Sequence, residues 1–187
     1  MKMTIAKIDA AMRQLDSAIH LWSDDADPVS ILTLAAASHQ VIHDLKTARG
    51  LDPLLYDSPI IKEEYRQQAI RAFKKDINFF KHADKDPEGT TEFNTNSIEP
   101  FFLFSILGLE YLHQEKSDAQ VAFTLWYILN KPALLSKTGT EYVNSMLSPE
   151  DKEKLTSMSK RDFVRTILAQ RASARANSGT IRFDKWA

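Results

Sequence analysis

Apolar residues along this chain recur at spacings of three and four, and no stretch alternates apolar and polar residues long enough to build a sheet. A first helix is predicted over Thr4 to Trp22, with Ile5, Ile8, Met12, Leu15, Ile19 and Trp22 as its buried stripe and Lys7, Asp9, Arg13 and Asp16 off it. Asp27 before Pro28 is a cap-plus-proline start, and Gly50 is a natural stop for the helix that follows. That second helix carries Ile31, Leu34, Ala35, Val41, Ile42 and Leu45 on one face and three successive alanines, so a neighbour can approach it closely and it sits centrally. Ser58-Pro59 repeats the start signal for a third helix running to about Ala83, and the polar stretch from Asp84 to Ser97 is a loop. A fourth helix, Ile98 to about Gln114, is apolar nearly all round, as expected of a helix covered on several sides. Ser117 with Gln120 forms a capping-box pattern for a fifth, ending near Asn130 and Lys131-Pro132. Shorter helices follow near Glu141 to Met146, after Ser148-Pro149, and from Ser159 to about Arg175, and the tail alternates Ile181, Phe183 and Trp186 with polar residues.

The fold class expected from this pattern is all-α: a helical bundle of four to five long helices with a smaller C-terminal helical extension. Residues 1–130 make the bundle core, and 131–187 are an extension packed on the same domain.

The third helix divides into two stripes. At about 100° per residue, Phe73, Ile77 and Phe80 fall within about 60° of one another, and Arg71, Lys75, Asn78 and His82 gather on the opposite side. The second stripe has a chemical use. An imidazole beside cations suits phosphodiester cleavage, since the ring shuttles a proton while Lys or Arg stabilises charge building on phosphorus. Lys81 and Lys74 add to the basic patch. The same stripe also fits a simple solvated helix face.

Composition narrows the picture. The 187 residues are 43% hydrophobic and 26% charged, ordinary for one globular domain, and the net charge of −1 predicts no general attraction to polyanions. Charge is uneven: from Asp151 onward nine Lys or Arg stand against four Asp or Glu, and Lys160, Arg161, Arg165, Arg171 and Arg175 offer contacts to RNA phosphates. With no cysteine, thiol catalysis, thiolate metal sites and disulfides are excluded. The five glycines form no phosphate-binding loop and there is no Gly-x-Ser-x-Gly elbow. The first twenty residues alternate apolar and charged positions with no signal-peptide run, and the longest apolar run, Phe101 to Leu109, is too short to span a bilayer, so a cytoplasmic protein without membrane contact is expected.

The run Ile77-Asn78-Phe79-Phe80-Lys81-His82-Ala83 resembles the signature near the end of a helix in HEPN domains, all-α bundles often found as toxin or defence ribonucleases. The family motif is an Arg, four to six residues, then a His, with a polar residue frequently just after the Arg. The resemblance implies that His82 is the catalytic imidazole and Asn78 the polar residue. Ile77 stands where the family carries Arg, and Lys75 is the upstream cation. The site expected from the resemblance is catalytic His82, Lys75 and Asn78 with RNA or a nucleotide as partner, and the reading of the stripe and its neighbourhood adds Arg71, His39 and Lys81 as substrate-binding residues. The Asn-Phe-Phe-Lys-His-Ala-Asp and Leu-Ala-Ala-Ala-Ser-His-Gln-Val runs are also similar to a group of bacterial proteins, a likeness that adds no chemistry.

Two other readings compete. His39 and His43 share one helix face at i, i+4, at the boundary of the apolar stripe, and with Asp84, or with His82 in its place, they are the residues available for a metal. His43-Asp44 resembles the HD pair of metal-dependent phosphohydrolases, with His20 and Asp84 as further ligands. A softer expectation brings His39 against Asn78 and His82 in a shared polar pocket. The apolar helices also suit a non-catalytic interaction module that forms a homodimer. No cofactor is expected under the leading reading.

Overall fold

A computed structural model describes residues 2–52, 63–84 and 86–178. Eight α-helices and two 3-10 turns account for its regular structure, with no strand among the described residues, so the fold is all-α. The helices gather into two compact units that divide between Lys116 and Ser117. The fifth helix therefore belongs with the later helices, whereas the hydrophobic pattern alone put a division near residue 130.

The first unit contains α1 (Lys7–Ser23), α2 (Pro28–Ala48), α3 (Glu63–Lys81) and α4 (Ile98–Tyr111). α2 begins as its sequence predicts. The Asp27 carboxylate accepts from the Ser30 backbone N–H at 2.8 Å and from the Ser30 hydroxyl at 2.7 Å, and these bonds hold its pKa below the ordinary value. It ends at Gly50, whose φ of 69° is the left-handed backbone that glycine adopts without a Cβ clash. α1 starts at Lys7, later than expected, and Ile5 before it is exposed.

α2 is the centre of this unit. Ala11, Leu15, Ala18 and Ile19 of α1 are fully buried, as is Ala35 of α2, and the alanines let the two helices come close. The approach is tight enough for the Ser38 hydroxyl to donate to the Ala11 carbonyl at 2.8 Å in the interior. On its other side α2 packs on α4, whose Phe101, Phe102, Ile106 and Leu109 are buried. Trp22 closes the end of the core, edge-on to Phe102 at 6.1 Å. His39 of α2 lies beside Phe101, and Arg49 just past the end of α2 donates to the Leu112 carbonyl at 3.4 Å, so α2 and α4 run in the same direction.

α4 stops before the expected Gln114 because His113 turns left-handed, at φ 58°. The Gln114 N–H then reaches back to the Leu109 carbonyl at 2.9 Å, the terminal bond of a Schellman-type end. The expected start of the third helix at Ser58-Pro59 lies outside the described residues.

The second unit contains α5 (Asp118–Asn130), α6 (Lys137–Met146), α7 (Pro149–Thr156) and α8 (Lys160–Ser178). α5 opens with the reciprocal capping box of Ser117 and Gln120. Ala122 and Phe123 of α5 and Phe163 and Val164 of α8 are buried at the centre of the unit. Asp118 receives Arg171 Nε at 2.6 Å and both terminal nitrogens of Arg175, which lowers its pKa. Two of the basic residues of α8 thus balance an acid of their own unit. The alternating segment 181–187 lies outside the described residues, and no described helix is long and apolar enough to cross a membrane.

Candidate functional site

α3 keeps the two-sided character of its sequence. Its apolar side is anchored at three points: Phe73 is edge-on to Phe101 of α4 at 6.1 Å, Ile77 is buried, and Phe80 is edge-on to Phe93 of the following loop at 5.3 Å. The Thr91 hydroxyl of that loop also donates to the Asp76 carboxylate at 3.3 Å. These contacts fix the rotation of the helix about its axis, and the rotation decides what the other side presents.

That side presents Arg71, Lys75, Asn78 and His82, all exposed, with Lys81 exposed next to the row and Lys74 half-buried at its edge. Lys81 stands in the last turn, where the negative end of the helix dipole favours a cation, and the His82 N–H still bonds the Asn78 carbonyl at 3.1 Å. Asn78 and His82 are therefore neighbours one turn apart, and Arg71 lies about 16 Å up the axis from His82. This spread limits the chemistry. Acid–base catalysis needs groups converging within hydrogen-bond reach of one reacting centre. A row about 16 Å long instead matches the rise of four or five stacked nucleotides, about 3.4 Å each, and can meet successive phosphates.

His39 lies elsewhere. Its spacing puts it at the boundary of the apolar face, but it is only 1% exposed, because α4 covers the flank of α2 that a one-sided reading leaves to solvent. Its ring stands edge-on to Phe101 at 5.7 Å, its Nδ1 is 3.4 Å from the Ser105 hydroxyl, and His43 is 6.5 Å away. Burial, aided by nearby His43 and Lys46, pushes the His39 pKa down to about 3, so the ring is neutral at ordinary pH. His39 is thus a core residue between α2 and α4, apart from the exposed row of Asn78 and His82.

His43 is half-buried on α2 and Asp84 is exposed beyond α3. Among the described residues no three His, Asp or Glu side chains stand close enough to hold a metal ion, so His39, His43 and Asp84 do not assemble into such a site, nor does the HD-like set with His20.

Lys46 was not singled out by the sequence. It is 2% exposed, its ammonium nitrogen lies 4.2 Å from the centre of the Tyr111 ring, and burial lowers its pKa against the opposing pull of Asp52. A signal was available: on α2 Lys46 falls within about 60° of His39 and His43, so the three form one basic stripe.

No family model, curated protein or solved structure matches this chain.

Proposed function

We propose that the exposed face of α3 binds RNA, with Arg71, Lys75, Asn78, Lys81 and His82 following the phosphate backbone of a single strand. One observation carries this reading: the polar row is held outward over about three turns by aromatic anchors on the reverse side of the same helix. Cations and a side-chain amide in a line supply what phosphate oxygens accept. The HEPN-like run at Ile77 to Ala83 agrees with an RNA partner, and Ile77 in place of the family's Arg agrees with binding ahead of cleavage, since Ile77 is turned into the core.

The test is fluorescence anisotropy with a short, labelled single-stranded oligoribonucleotide, followed by gel analysis of the same RNA. The expected result is saturable binding that Arg71→Glu with Lys75→Glu abolishes, and RNA of unchanged length. Shortening that disappears in His82→Ala would move the reading to a ribonuclease. Absence of binding by the unaltered chain would overturn it.

A further inference from the structure

The second unit contains a cleft of about 120 Å³ between α5, the turn Pro132–Leu134, α6 and α7. Its walls include Ile128 and Leu129 of α5, Leu135, and Val143 of α6, all aliphatic. Lys152 of α7 is the single charged residue of the lining, and it is half-buried. Its ammonium donates to the Asn144 side-chain carbonyl, a neutral partner, and no carboxylate among the described residues pairs with it. The hydroxyls of Thr140 and Thr156, also in the lining, donate to the Ser136 and Lys152 backbone carbonyls at 3.1 Å and 2.8 Å. Their hydrogens are occupied within the helices, which leaves the Lys152 ammonium and the Asn144 amide as the lining's donors.

We propose that this cleft binds a short-chain aliphatic monocarboxylate. The alkyl chain rests on Ile128, Leu129, Leu135 and Val143, and the carboxylate accepts from Lys152 Nζ and from the Asn144 amide. An apolar floor favours hydrocarbon, and an ammonium at its edge whose partner is only an amide favours an anion over a neutral or cationic head. The cleft opens to solvent, and its volume of about 120 Å³ is room for about four or five carbons of such a chain, since cavities of about 150 Å³ take benzene. The site is independent of the α3 face.

The test is a methyl-detected NMR titration of the full chain with pentanoate, 1-pentanol and pentylamine in parallel. The expected outcome is saturable shifts at Ile128, Leu129 and Val143 with pentanoate. Affinity for pentanoate should fall roughly tenfold or more in Lys152→Met, which keeps the aliphatic stem and removes the charge, while 1-pentanol is unaffected by the change. Asn144→Asp supplies a competing carboxylate beside Lys152 and should weaken pentanoate alone. Far-UV circular dichroism of each variant separates loss of the site from loss of the fold. The proposal is overturned if pentanoate gives no saturable shift, if pentylamine binds as well as pentanoate, or if Lys152→Met folds and binds pentanoate undiminished.

Discussion

Two helices of the first unit carry basic stripes of nearly the same spacing, and the structure uses them in opposite ways. On α2 the stripe is His39, His43 and Lys46; on α3 it is Arg71, Lys75, Asn78 and His82. The first is pressed against α4 until His39 and Lys46 are almost fully buried. The second faces solvent for its whole length. The difference lies in the rest of each helix. α3 turns Phe73, Ile77 and Phe80 to one side and is exposed along the other, so one contact surface satisfies it. α2 is apolar or small on two sides, for α1 and for α4, and the second of these carries the basic stripe inward. A basic stripe becomes a surface only where its helix has a single buried side.

The largest effect should come from the residue that links the two helices. Phe101 meets both His39 and Phe73. Phe101→Ala should cost about 3–5 kcal/mol, as truncation of a buried aromatic does, read as a lower urea midpoint. A loss below about 1 kcal/mol would mean that α4 does not organise both stripes.

Acid should separate the helices next. The pKa of His39 lies at about 3 in the folded chain against 6.5 for an unperturbed imidazole, so the unfolded state binds the proton first. The stability this contributes is complete above pH 6.5 and is lost as pH falls towards 3, a decline of up to a few kcal/mol. Urea unfolding at a series of pH values should show this slope, and His39→Leu should flatten it. An unchanged slope in His39→Leu would place the titration in other groups, such as Asp118, whose lowered pKa also removes stability as pH falls through its folded value.

Lys46→Met tests whether the buried ammonium contributes to stability. It removes a desolvated charge while keeping most of the stem, and loses the contact with Tyr111. The two changes oppose one another, so the net effect should be neutral or stabilising by about 1 kcal/mol. A clear destabilisation would show that the cation–π contact outweighs burial. Smallest of all, Arg71→Ala, Lys75→Ala and His82→Ala should each change stability by less than about 0.5 kcal/mol, as exposed positions do.

Much of this architecture was legible in the sequence where the signal is local. Asp27-Pro28 and Ser117 with Gln120 each mark a helix start within four residues, and both form the bonds their sequence implies. The division of α3 was legible for the same reason, because both stripes belong to one helix. The fate of His39 and Lys46 was not, because it depends on α4, some sixty residues further along, docking on that side of α2. The left-handed His113 gave no warning either, since its neighbours Leu112 and Gln114 continue a helical pattern. Lys152 was hidden likewise, as its cleft is assembled from α5, α6 and α7 together.

On the proposed reading the α3 row meets phosphates while the α2 stripe serves the core. The salt dependence of RNA affinity tests this most directly. With Arg71, Lys75 and Lys81 on phosphates, the logarithm of the association constant should fall with the logarithm of salt concentration at a slope of about −2, at about 0.7 per contact on a single strand. Lys75→Ala should reduce that slope by about 0.7 and leave the urea midpoint in place. A slope unaltered by Lys75→Ala, or an unaltered chain that binds no RNA at low salt, would contradict it.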